Sequence, residues 1–385
     1  MTATLDPAAP PAEGPSYTTG ILPYQTLMDL VRSGEIAAAV GIGPEQVQPA
    51  SIDLRLGPVA YRVPASFLPG GGATVMERID RFGKYALDIA NGAVLEKGCV
   101  YIVPLQESLR LSKGVSAFAN PKSSTGRLDI FTRLITDQGT AFDRVERGYA
   151  GPLYAEVAPR TFSVVVRQGT KLNQIRFRRG SPGLSLAALR RLQLEARLVD
   201  SEAGRETIRP EDGSIGVTID LRGAGNSGAG GGLVGWRAKK HTDVIDVDRP
   251  GHYDPLDYWE PIQHRPGRTI VLNPDDFYIL ATREAVRVPP DHAAEMLAYD
   301  TMVGEFRVHY AGFFDPGFGW DTTQGGSRAV LEVRSHEVPF VLEHEQVVGW
   351  LRYERLTAVP EKLYGPTIGS SYQYQGLALA KQFRR

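Results

Sequence analysis

The second half of this chain repeats the first, motif by motif. Ile21-Leu-Pro-Tyr-Gln-Thr-Leu-Met-Asp-Leu-Val31 is echoed by Leu184-Ser-Leu-Ala-Ala-Leu-Arg-Arg-Leu192, and Ser51-Ile-Asp-Leu-Arg55 by Thr218-Ile-Asp-Leu-Arg222. Tyr101-Ile-Val103 recurs as Tyr278-Ile-Leu280, Arg147-Gly-Tyr-Ala-Gly151 as Pro316-Gly-Phe-Gly319, and Leu153-Tyr-Ala-Glu-Val157 as Ala329-Val-Leu-Glu-Val333. The order is the same and the spacings are close, which marks an internal duplication. The 385 residues therefore resolve into two tandem copies of one domain, 17–180 and 181–360. Each copy falls in the usual range of roughly 100–200 residues for a domain. An Ala- and Pro-rich stretch (1–16) reads as a disordered tail, and 361–385 as a C-terminal tail.

Strand signals dominate each copy. Glycine (42) and proline (27) are spread along the chain, as suits many short strands joined by turns. A helix is expected after Pro23, with Leu27, Leu30 and Val31 on one face and Gly34 as its stop. Strand-like runs follow at Ser51–Leu56, Val100–Val103, Ile130–Ile135, Leu153–Val157, Phe162–Val166 and Leu172–Phe177. The pattern predicts a mainly β barrel or jelly roll with a few short helices. The Gly-rich stretch Gly223–Gly232 reads as a loop inserted in the second copy.

Charge and cysteine count remove several function classes. Lys+Arg total 43 and Asp+Glu 44, so no global basic field gathers nucleic acid or anionic membrane. Cys99 is the lone thiol, which rules out internal disulfides, Cys-rich zinc sites, iron–sulfur clusters and the His-x-Glu…Pro-Cys-x-x-Cys zinc-deaminase signature. The N-terminus lacks the basic flank and apolar run of a signal peptide, and no stretch of ~18 apolar residues appears. A reducing, cytoplasmic setting is the expectation.

The densest polar constellation is Asn120-Pro-Lys-Ser-Ser-Thr-Gly-Arg127. Its hydroxyls and amides can donate to phosphate oxygens, Arg127 can grip them bidentately, and Lys122 adds point charge. A solvated turn with a basic flank explains the same residues taken alone. Glu156 lies in an otherwise apolar strand, where a carboxylate is costly without a partner or a task. Burial there suits general acid/base work, and a solvated edge-strand face is the alternative. The seven histidines all lie in the second half and show no metal-ligand spacing. The aromatics from His252 to Trp259 are expected to pack a core or an interface.

Together these segments resemble the dCTP deaminase and trimeric dUTPase superfamily, closest to dCTP deaminases of a long, duplicated bacterial form. The family's Arg/Lys-Ser-Ser-x-x-Arg phosphate motif is matched by Lys122-Ser123-Ser124-Thr125-Gly126-Arg127, and its early strand by Ser51–Gly57. Its His-Arg-Ile-Asp-Pro-Gly-Trp-x-Gly segment is similar to Asp143–Gly151, and its catalytic glutamate falls on Glu156. Gly169–Gln174 matches the Gly-x-x-Ile-x-Gln strand, and Tyr372-Gln-Tyr-Gln-Gly376 a tail that closes over the nucleotide. In the second copy Thr301-Met-Val-Gly-Glu305 replaces the phosphate motif, Phe313 stands about where Arg144 does, and Glu332 aligns with Glu156.

The resemblance implies two tandem dUTPase-like distorted jelly rolls, a working first copy and a scaffold second copy. It implies deamination of dCTP to dUTP without zinc, Glu156 as general base and Arg144 holding the water or orienting Glu156. Lys122, Ser123, Ser124, Arg127, Asp143, Gln174, Tyr372 and Gln375 would bind the nucleotide as its Mg²⁺ complex. A dUTP diphosphatase, or a bifunctional enzyme giving dUMP, is the alternative, since Glu146 lies roughly where a family dUTPase activates water. A non-catalytic nucleotide-binding protein is a further one. The same resemblance implies a homo-oligomer with active sites between subunits, and dTTP as a candidate feedback inhibitor.

Overall fold

The computed structural model of the chain describes residues 16–201, 207–223, 232–264, 267, 269–298, 306–308, 312–320, 325–335, 338–365 and 376–385. Each copy is a pair of facing, mostly antiparallel sheets. In the first copy, one sheet runs Tyr85–Asp88, Val59–Val63, Val100–Arg110, Ala150–Pro159, Ile130–Thr136, with Ile36–Ala38 also on Val100–Arg110. Its companion runs Gly20–Ile21, Lys171–Arg179, Val115–Pro121, Arg144–Val145, with Ile52–Arg55 on Lys171–Arg179. The second copy reproduces both, as Trp259–Gln263, Leu233–Ala238, Phe277–Val286, Ser327–Ser335, Phe306–Val308 and as Ile208–Arg209, Ser214–Thr218, Val347–Arg355, His292–Ala298, Phe313–Phe314. The mainly β, two-domain expectation therefore holds. The helix Tyr24–Arg32 begins after Pro23, and Gly34 takes a positive φ just beyond it. Among the described residues, no helix is long and apolar enough to cross a membrane.

Strand register shows how the copies superimpose. Glu156 faces Ile102 across the ladder, and Glu332 faces Ile279 in the same way. The pairing of Ser51–Arg55 with Thr218–Arg222 is corrected by four residues. Ile52 pairs with Ile175 as Ile215 pairs with Leu351, so Ile215, not Ile219, is the counterpart of Ile52. A buried carboxylate fixes this register in each copy: Glu107 accepts the Arg55 amide at 2.9 Å, and Glu284 the Thr218 amide at 2.7 Å. The counterpart of Asp53 is then Gly216.

The first hydrophobic core is not closed by the first copy alone. Trp259 is wholly buried against Phe162, Phe277 and Phe383, with ring centroids 5.5, 5.9 and 6.0 Å away. Ile245–Asp246 adds in parallel to Val164–Val166 of the first copy. The end of the C-terminal segment is tied down beside it, with Gln382 Nε2 donating to the Val247 carbonyl at 2.6 Å and the Arg384 amide to that of Tyr253 at 2.9 Å. The expected packing role of His252–Trp259 is thus observed for Tyr253, Tyr258 and Trp259. Trp259→Ala is expected to cost about 3–5 kcal/mol, the range for a large aromatic lost from a core. Chemical denaturation followed by tryptophan-independent circular dichroism checks this.

Candidate active site

The phosphate-motif residues form one tight turn. Strand Val115–Pro121 stops at Pro121, Lys122 stays extended, and Ser123–Gly126 make a single helical turn, closed by the Thr125 and Gly126 amides donating to the Lys122 carbonyl. Thr125 Oγ1 donates to the Leu172 carbonyl at 2.9 Å, anchoring the turn on the strand that carries Gln174. Gln174 Nε2 donates to the Pro121 carbonyl at 3.3 Å. Lys122 Nζ is ion-paired with Asp53. Ser124 is buried and Ser123 exposed. Beside the turn lies a cavity of about 260 Å³ bounded by Asp53, Lys122, Ser124, Thr125, Lys171 and Lys381, among others. Three ammonium groups around one small cavity suit a polyanion. Burial pulls the Lys381 amine below its usual range, and neighbouring Lys122 adds to that.

The second copy supplies carboxylates to this turn. Arg127 is buried, its Nη1 donates to the Ala378 carbonyl at 3.0 Å, and its Nε lies 3.9 Å from the Glu332 carboxylate. Burial pushes the Glu332 carboxyl up to about 7, with Arg127 opposing and Asp129 adding to the rise. Two residues further on the same strand, Arg334 is ion-paired with Asp129 of the first copy and donates to Thr161 Oγ1 at 2.9 Å. A second carboxylate, Asp315, begins the turn Asp315-Pro316-Gly317-Phe318. Gly317 has φ +94°, and a Cβ there would meet Leu363 and Tyr364 at 3.0 Å, so glycine alone fits. Asp315 accepts from Arg176 of the first copy at 3.0 Å. Burial raises its carboxyl, Arg176 and Lys122 oppose the rise, and Asp53 adds to it.

Glu156 is not brought to the Lys122–Arg127 turn within the chain. It is buried, and its Oε1 accepts from Arg133 at 2.7 and 3.1 Å. Arg133 is stacked 3.4 Å from the Phe142 ring centroid and also bonds Ser66 Oγ at 2.5 Å, while Glu156 Oε2 is buried without a hydrogen-bond partner. Asp143 sits in the same cluster, accepting the Leu134 amide at 2.7 Å. Burial lifts its carboxyl to about 7, against Arg133 and with help from Glu156. Arg144 is exposed on the neighbouring short strand, opposite Phe118. Phe313 is opposite Glu295, the counterpart of Phe118, so Phe313 does stand in the place of Arg144. Tyr372, Gln375 and Thr301–Glu305 lie outside the described residues.

The turn therefore faces Glu332 and Asp315 rather than Glu156, Asp143 and Arg144. Reading each copy by itself does not show this arrangement, because the contact lies between the copies. One signal was present: Asp315-Pro316-Gly317 keeps the Asp-Pro-Gly of the family segment, where the first copy has Glu146-Arg147-Gly148. Asp53 lay within the matched early strand Ser51–Gly57, whereas Lys171 and Lys381 carried no comparable signal.

Two family models cover nearly the whole described chain. The N-terminal domain of 2'-deoxycytidine 5'-triphosphate deaminase matches residues 18–181, and its C-terminal domain residues 185–383. A crystal structure of 2'-deoxycytidine 5'-triphosphate deaminase from Agrobacterium tumefaciens is 53% identical, with a TM-score of 0.82, covering 88% of this chain and 99% of that one. Among curated relatives, the "dCTP deaminase, dUMP-forming" of Halobacterium salinarum is 33% identical over 122 residues, 31% of this chain and 58% of the relative's length. That of Mycobacterium avium is 30% identical over 139 residues, 34% of this chain and 70% of the relative's length.

Proposed function

Because the chain belongs to the dCTP deaminase family of hydrolytic enzymes, we propose that it converts dCTP and water to dUTP and ammonia at a composite site built by both copies. The observation that carries this reading is the approach of Arg127, in the first copy's phosphate motif, to Glu332 of the second. Lys122, Ser123, Ser124, Arg127 and Gln174 hold the triphosphate, taken as its Mg²⁺ complex, with Lys381 and Lys171 adding charge. Glu332 is the general base. It takes a proton from water as the oxygen attacks C4 of cytosine and passes it to N3; it then carries the C4 hydroxyl proton to the amino group, and the C4–N4 bond breaks as ammonia leaves and the C4 carbonyl forms. A carboxyl near 7 suits both halves of that task, because it accepts and returns a proton at little cost. As a base it must be ionised, so the rate rises as pH increases through about 7. The chemistry asks nothing of a zinc ion, in keeping with the lone Cys99.

A dUMP-forming variant has its own support. Both curated relatives named above carry that description. Asp315 also places a carboxylate in the site, close in sequence to where a family dUTPase activates water. Incubation with dCTP and Mg²⁺, with ammonia and pyrophosphate assayed separately, tests both. Ammonia alone, with dUTP, is the expected result. Ammonia with stoichiometric pyrophosphate and dUMP favours the variant, and neither product overturns both.

A further inference from the structure

Arg176 belongs to the first copy's strand Lys171–Arg179, yet its wholly buried guanidinium serves the second copy. Nη1 donates to the Ala294 carbonyl at 3.1 Å, and Nη2 to the Asp315 carboxylate at 3.0 Å. The guanidinium carbon lies 4.1 Å from the centroid of the Phe313 ring. An arginine is rarely buried completely, and here every partner lies across the boundary between copies. Phe313 occupies the position at which the first copy carries Arg144, so the second copy's Asp-Pro-Gly segment has no arginine of its own there. The ring instead forms the platform for an arginine delivered by the other copy.

We infer that Arg176 is a positioning residue of the composite site, donated across the copy boundary to fix the Asp315 carboxylate as a hydrogen-bond acceptor for the bound nucleoside. The inference rests on the composite-site reading above. The charged groups facing Asp315 are Arg176 on the first copy's strand Lys171–Arg179, Asp53 on Ile52–Arg55, and Lys122 at the phosphate turn. Of these, Arg176 makes the direct bond. An acceptor that binds ground state and transition state alike acts on KM more than on kcat. The planar fork matters as well as the charge, because it reaches Asp315 and the Ala294 carbonyl together.

Arg176→Lys keeps the charge and loses the fork. With dCTP as substrate, KM is expected to rise about tenfold while kcat stays within about twofold. Asp315→Asn should raise KM to a similar extent, and adding Arg176→Lys to it should add no further loss, since one acts through the other. Phe118→Leu is the control. It removes an edge-to-face contact with Phe313 (centroids 5.0 Å apart) without touching Asp315, and should lower the melting temperature with KM unchanged. An unchanged KM in Arg176→Lys overturns the inference. If Arg176→Lys fails to fold, an unchanged KM in Asp315→Asn does so instead, and so does a matching KM rise in Phe118→Leu. A wild-type protein that releases no ammonia from dCTP fails at the earlier step and removes the composite-site reading itself, so the two failures are told apart.

Discussion

Glu332→Gln lowers ammonia release from dCTP by about 10²–10⁴-fold while nucleotide binding stays within a few-fold, and Glu156→Gln leaves both nearly unchanged. The magnitude is that of general acid/base catalysis by one positioned group. The asymmetry follows from what each carboxylate touches. Glu332 is buried 3.9 Å from Arg127 of the phosphate turn. Glu156 is bound through Oε1 to Arg133, itself stacked on Phe142 and bonded to Ser66. The glutamine at 156 still offers an amide oxygen to Arg133, so the local packing survives. Rapid-quench ammonia assays beside calorimetric dCTP titration of each variant give the answer. The opposite pattern, with Glu156→Gln releasing no ammonia and Glu332→Gln fully active, returns the base to the first copy and ends the composite-site reading.

Arg127→Ala reduces kcat/KM for dCTP by about 10²–10³-fold and moves the acid limb of its pH profile upward. Two effects combine. The arginine proposed to hold phosphate is lost, and a buried carboxylate loses its cation, a truncation that typically costs about 2–5 kcal/mol. The sign of the pH effect follows from the forces on Glu332. Burial raises its carboxyl to about 7 and Arg127 works against that rise, so removing Arg127 lifts it further. The base is then ionised only at higher pH, and part of the lost rate returns there. Arg127→Lys, which retains a charge but not the fork, should fall between the two. An acid limb that stays in place in Arg127→Ala separates Arg127 from Glu332.

Much of the architecture was readable because duplication leaves local marks. Paired turn and strand motifs survive divergence, and they placed Glu332 opposite Glu156 and Phe313 opposite Arg144, as the ladders do. The Ile-Asp-Leu-Arg match misled by four residues, because a short identity outweighed what sets the register, the buried carboxylates of Glu107 and Glu284 on the strand amides. The site was half legible. Lys122–Arg127 announced itself, since adjacent hydroxyls and cations are a local pattern. Its carboxylate partners are about two hundred residues away in the chain, and nothing in a linear reading says which face meets which. The same reason hid Arg176 and the core shared by Phe162, Trp259 and Phe383.

The contact between the copies joins unlike faces: the phosphate turn of one meets the glutamate strand of the other. A chain built that way carries each kind of face twice but brings one pair together internally. Inheritance then treats the four faces differently. Substitutions in Lys122–Arg127 or around Glu332 and Asp315 strike the assembled pair, whereas those around Glu156 do not. On the composite-site reading, duplication allows a cation-bearing half and a carboxylate-bearing half to sit in different copies of one chain, each under its own constraint.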